Sequence, residues 1–272
     1  MHMDRRQFVK NLGLGTASLS MGSLVTASSC APSGDSSLKQ NVKEGEDGQF
    51  LFIGDDIAIA QTEYGKVQGY LLNHVYTFLG VPYGADTSGK NRFMPPQKPE
   101  PWADVRPAVF YGNTAPQRME NRWPNNYGTF ADHWNYWDVS EDCLYLNVWT
   151  PGIADGKKRP VLVWLHGGGF TNGSGIEQDG YHGENISREG DIVFCSINHR
   201  LGPIGFSDLS GVGGEAYKDS GNVGMLDIIA ALRWVHDNIA NFGGDPGNVT
   251  VMGQSGGGSK VLSLIHISEP TR

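Results

Sequence analysis

An apolar, β-branched run, Asn248-Val249-Thr250-Val251-Met252, leads directly into Gly253-Gln254-Ser255-Gly256-Gly257. This junction constrains the fold more than any other stretch of the chain. The run reads as a strand, and the glycines let the backbone turn sharply where a Cβ would clash. A helix entered straight from such a turn leaves the serine hydroxyl exposed at the top of a sheet. Upstream, Val161-Leu162-Val163-Trp164-Leu165 runs into His166-Gly167-Gly168-Gly169-Phe170. A glycine run at the end of a buried strand can turn its backbone N–H groups toward a developing oxyanion. The serine motif alone is compatible with a glycine-rich turn that carries no chemistry. The two in this order point to acyl transfer.

The rest of the pattern predicts an α/β domain. Phe50 to Gln61 and Gly65 to Leu72 read as strands separated by turn signals, and Arg92 to Pro107 as an irregular, proline-rich loop. Asp142 to Trp149 reads as a further strand. Val161 to Leu165, Ile192 to Ile197 and Val249 to Met252 are short, continuous apolar runs, the pattern of strands buried on both faces of a parallel sheet. Between the last two, Met225, Ile228, Leu232, Val235 and Ile239 fall at helical spacing. Leu226, Ile229 and Ala230 widen that stripe, so a well-buried helix is expected. Ser220 or Asn222 is the candidate cap, and Gly243, Gly244 and Pro246 the stop.

Composition excludes several functions. Hydrophobic residues make up 39% and charged residues 18%, which fits a globular protein. The net charge is −8 with no basic stripe, which argues against a nucleic-acid partner. Cys30, Cys143 and Cys195 form no disulfide framework, and no Cys/His spacing suggests a metal. Cys195 lies within an apolar strand and reads as a small core residue. No cofactor is expected.

The N-terminus reads as an export signal over residues 1–29. Asp4-Arg5-Arg6-Gln7-Phe8-Val9-Lys10 has the twin-arginine arrangement, and a weakly apolar stretch rich in Gly, Ser, Thr and Ala follows. An exported location, periplasmic or extracellular, is therefore expected. Cys30 follows Ala27-Ser28-Ser29 as a lipoprotein cysteine would, but the larger apolar residue usual three positions earlier is missing. Lipid anchoring to a membrane through Cys30 and a plain thiol both stay open. Residues 30–48 read as a flexible tether.

Several ordered blocks together resemble the type-B carboxylesterase (cholinesterase-like) family of α/β-hydrolases, in a bacterial member. They are Gly80 to Gly84 with Arg92-Phe93, Glu141 to Trp149, His166 to Phe170, Asn198 to Gly202 with Gly205-Phe206, Gly221 to Asp227, Ala231 to Val235, Phe242 to Pro246, and the serine turn. The resemblance implies an α/β-hydrolase fold, a central and mostly parallel sheet flanked by helices. It implies a serine hydrolase acting on a small-molecule carboxylic ester through an acyl-enzyme on Ser255. Gly168, Gly169 and Gly256 would supply the oxyanion N–H donors. Arg92 with Glu141, and Arg200 with Asp227, resemble the family's structural ion pairs. Gln254 stands where Glu is frequent, and Gly257 where Ala is. Ala115 occupies the place of the cysteine that eukaryotic members pair with the equivalent of Cys143, so Cys143 is expected to be unpaired. Trp123, Tyr127, Phe130, Trp134, Tyr136 and Trp137 fall in the region that resembles the mouth of the family's substrate gorge. Core and loop packing is the alternative reading of each.

In that family the triad's acid and histidine lie well downstream of the serine. The expectation is therefore a domain over residues 49–261 that is the N-terminal part of a hydrolase, truncated after the serine turn and inactive as a fragment. Residues 262–272 look like a non-native tail, similar to the translation of a transposon adapter used in sequencing libraries. His166, His199 and His236 read as structural. The alternatives to an esterase are a non-catalytic, cholinesterase-like binding protein or an inactive truncated product.

Overall fold

The computed structural model describes residues 50–118 and 138–268, with side chains through 265. The expected export signal, Cys30, the tether and the aromatic stretch from Trp123 to Trp137 lie outside the described residues.

Two sheets form the frame. The smaller contains β2 (Ile59–Thr62), β3 (Gly65–Gln68) and β6 (Arg106–Pro107), in that order. The Thr62 hydroxyl closes the β2–β3 hairpin by donating to the Gly65 carbonyl at 2.7 Å. The larger sheet has seven strands. These are β1 (Leu51–Phe52), β4 (Tyr70–Leu72), β5 (Val75–Pro82), β7 (Tyr145–Thr150), β8 (Arg159–Leu165), β9 (Val193–Ile197) and β10 (Gly244–Gly253). Their spatial order is β1-β4-β5-β7-β9-β8-β10. Pairing is antiparallel from β1 to β9 and parallel across β9, β8 and β10, so the sheet is mixed and its parallel part carries both glycine motifs.

Helices make the two parallel crossovers. α1 (Glu184–Gly190) lies between β8 and β9. α2 (Gly202–Phe206), α3 (Ser210–Gly213) and α4 (Val223–Asn238) lie between β9 and β10, and α5 (Gly256–Ser268) follows β10. Parallel neighbours require such crossovers because a tight turn cannot return the chain to the same end of the sheet.

β9 is buried along its whole length, as its Val-Phe-Cys-Ser-Ile sequence predicts. β8 and β10 depart from that expectation. On β8, Leu162 and Trp164 are half-buried, and on β10 Thr250 and Met252 are exposed. β10 is the outer strand of the sheet among the described residues, so nothing described covers its far edge. Cys143 and Cys195 are buried free thiols. Burial pushes both thiols up, away from the reactive thiolate.

α4 packs Met225, Ile228, Ala231, Trp234 and Val235 into the main core beneath Phe242. The expected stripe holds except at Leu232, which is half-buried. Leu226, Ile229, Ala230 and Leu232 instead line a groove of about 1060 Å³ with Tyr64, Pro95, Pro96 and Leu264. Neither expected cap operates. No side chain caps α4 at Asn222, and Ser220 Oγ accepts the Leu209 N–H at 2.8 Å instead. The stop is as expected. A 3-10 turn, Ile239–Phe242, ends at Gly243 in the left-handed region, and β10 begins at Gly244.

Candidate active site

β8 and β10 are adjacent and parallel, with Val163 opposite Val251 and Leu165 opposite Gly253. Both glycine motifs therefore leave the sheet at the same edge, the carboxyl ends of parallel strands where α/β sheets hold their ligands. Ser255 sits between β10 and α5 at φ 55°, the left-handed region. A non-glycine residue held there stores on the order of 1–3 kcal/mol of backbone strain, and such strain clusters at functional sites. Gly257 N–H donates to the Gln254 carbonyl at 2.9 Å and Ser259 N–H to the Ser255 carbonyl at 3.1 Å, which locks the turn into the helix. The Ser255 side chain is exposed.

The turn survives only because its neighbours lack side chains. A Cβ on Gly257 would overlap the Leu165 carbonyl, so α5 rests directly on the end of β8. A Cβ on Gly256 would come within 2.6 Å of the Gly169 nitrogen. The backbone of the upstream glycine loop thus lies against the first residue of α5. Gly168 and Gly169 adopt φ 80° and φ 63°, and among the described residues their N–H groups donate no hydrogen bond. Unused backbone donors beside a helix N-terminus form an anion-binding arrangement, because the dipole of the thirteen-residue α5 adds to them. Ser255, Gly168, Gly169 and Gly256 are therefore close neighbours.

The loop is held from several sides. The Gln117 side chain donates to the Gly173 carbonyl at 2.9 Å and accepts the Gly173 N–H at 2.8 Å. Gly202 N–H donates to the Phe170 carbonyl at 2.7 Å. Asn198 accepts the Gly175 N–H at 2.7 Å through its side chain. The histidines fit structural roles. His166 and His199 are fully buried and stack 4.9 Å apart, whereas the His236 side chain is exposed beside Asp237. Burial, with Lys260 and His166 nearby, drives the His199 imidazole well below its ordinary range, so it stays neutral.

The two expected ion pairs differ in kind. Arg200 and Asp227 are buried and bidentate at 2.8 and 2.6 Å, and Asp227 also accepts the Arg200 N–H at 3.0 Å. Arg92 and Glu141 meet at 2.6 Å, but the Arg92 side chain is 46% exposed, so this pair is a surface bridge. Lys260 escaped the sequence reading. Its only signal was one lysine inside an otherwise small and apolar stretch, Gly256 to Leu262, yet it is fully buried beneath the glycine loop. Among the described residues, no cluster of His, Cys, Asp and Glu could hold a metal ion.

Known proteins resemble the chain over most of its length. The chain is 43% identical over 210 residues to a para-nitrobenzyl esterase of Bacillus subtilis (strain 168), covering 76% of this chain and 40% of that protein. It is 44% identical over 206 residues to a phenmedipham hydrolase of Pseudarthrobacter oxydans, covering 76% and 39%. A solved esterase of Clostridium hathewayi, described as able to hydrolyse aliphatic aromatic polyesters, superposes with a TM-score of 0.74 at 44% identity. That match covers 80% of this chain and 42% of the other. The chain thus spans about 40% of the length of the curated relatives it matches. The α/β-hydrolase fold of these structural neighbours matches the sheet and helices described above. The model of the Carboxylesterase family matches residues 56–272, the range that holds the glycine loop, the buried ion pair and the serine turn, and the chain belongs to that family.

Proposed function

We propose that the whole protein hydrolyses small-molecule carboxylic esters through an acyl-enzyme on Ser255. The observation that carries this reading is the contact of Gly169 with Gly256 beside a strained, exposed Ser255. Ser255 Oγ attacks the ester carbonyl as a general base takes its proton, and the carbonyl oxygen gains negative charge. The N–H groups of Gly168, Gly169 and Gly256 hold that oxygen. Each such donor is typically worth about 2.7–4 kcal/mol of transition-state stabilisation. The alcohol leaves, and water attacks the acyl-enzyme under the same base. In the family that the sequence resembles, that base is a histidine downstream of the serine, and we take the same role for the whole protein. The relatives' substrates support esters with aromatic components as first candidates.

The test is hydrolysis of para-nitrobenzyl acetate by the whole protein. Ser255→Ala is expected to lower kcat by about 10⁴-fold or more with the fold intact. A variant that kept most of its rate would overturn the reading.

We also propose export through residues 1–29, with Cys30 as a candidate lipid anchor. The Arg5-Arg6 pair supports this. Replacing both arginines with lysine should leave the protein in the cytoplasm, and unchanged fractionation would refute the proposal.

A further inference from the structure

One cationic side chain lies behind the glycine loop with no part in the steps above. Lys260 stands on α5, just past the first helical turn after Ser255, and is fully buried. Its ammonium approaches the His166 carbonyl at 3.4 Å, a long bond. It also sits 5.5 Å from the centre of the Phe170 ring, within cation–π range. His166 and Phe170 are the two ends of the glycine loop. The His166 carbonyl shares its peptide plane with the Gly167 N–H, so holding it fixes how the chain enters the two donor residues that follow, Gly168 and Gly169.

We propose that Lys260 is a positioning residue for the oxyanion loop. Its ammonium ties both ends of residues 166–170 to the helix that carries Ser255, and so holds Gly168 and Gly169 against Gly256. The inference rests on the esterase reading and deepens it at the same site.

The surroundings favour this role over a stabilising one. Taking an ammonium out of water is costly, and a buried charge replaced by an apolar side chain of similar size is often neutral or stabilising. Among the described residues, the titratable groups facing Lys260 are Glu177, His166 and His199. Glu177 is 4% exposed and favours the ammonium, while His199 is held neutral. Burial pushes the Lys260 amine down from 10.5 to about 8. The unfolded chain therefore binds more protons between those values. The charged amine lowers stability most below about pH 8, and that cost fades as pH rises toward 10.5. The tie itself works in the opposite sense, because it needs the ammonium and is lost as pH rises through about 8.

The experiment compares wild type with Lys260→Met and Lys260→Arg in the whole protein, using para-nitrobenzyl acetate across pH and thermal melts alongside. Lys260→Met is expected to lower kcat about tenfold or more, with KM changed less than about twofold, because small misplacements of oxyanion donors are costly. Its melting temperature at neutral pH should equal or exceed that of wild type. Wild-type kcat should fall on the alkaline side through about pH 8, and Lys260→Arg should carry activity to higher pH. Unchanged kcat and pH profile in Lys260→Met would overturn the proposal. So would an activity loss matched by a lower melting temperature, with the arginine variant showing no altered pH profile. If the methionine variant does not fold, the pH profile of the arginine variant decides. Full turnover by Ser255→Ala would instead sink the esterase reading on which the inference rests.

Discussion

At the scale of single residues, burial separates side chains that look equivalent in the sequence. Arg200–Asp227 and Arg92–Glu141 both matched structural ion pairs by resemblance. Asp227 lies on the buried face of α4, while Arg92 sits on an open loop, a difference that pattern alone does not reveal. Asp227→Asn strands the Arg200 guanidinium in the core and is expected to cost about 3–5 kcal/mol of unfolding free energy. Glu141→Gln should leave the denaturation curve where it is, since exposed pairs contribute little. Urea titrations of the two variants check the contrast, and equal losses would contradict it. Lys260 shows the same limit from the other side. A lysine is ordinarily solvated, so only the packing of α5 against the loop reveals its place.

At the scale of elements, the sequence was most legible where local chemistry decides the outcome. Gly243 stops the α4 segment because its left-handed conformation suits glycine, and β9 is buried on both faces as its apolar run implies. Caps and face exposure were less legible because they depend on partners distant in sequence. Ser220 caps nothing because Leu209 claims its hydroxyl. β10 carries the same kind of β-branched run as β9 but lies at the edge of the described sheet, with Thr250 and Met252 exposed. An open strand edge offers unpaired N–H and C=O groups to other chains. The 272-residue chain expressed alone is therefore expected to self-associate, and Thr250→Lys should reduce this. Light scattering against concentration checks it. A monomer with a sharp cooperative melt would contradict it.

At the scale of the whole molecule, two motifs far apart in sequence become one site because β8 and β10 are parallel neighbours. Their order was legible from the glycines and the apolar runs before them. Their contact was not, because it requires both the register of Leu165 with Gly253 and the approach of Gly169 to Gly256. In this arrangement Ser255 is the proposed nucleophile. The most direct measurement treats the whole protein with a fluorophosphonate and maps the adduct by mass spectrometry. A single adduct on Ser255, absent in Ser255→Ala, is expected. Ester hydrolysis accompanied by an adduct on any other residue, or by none, would contradict it.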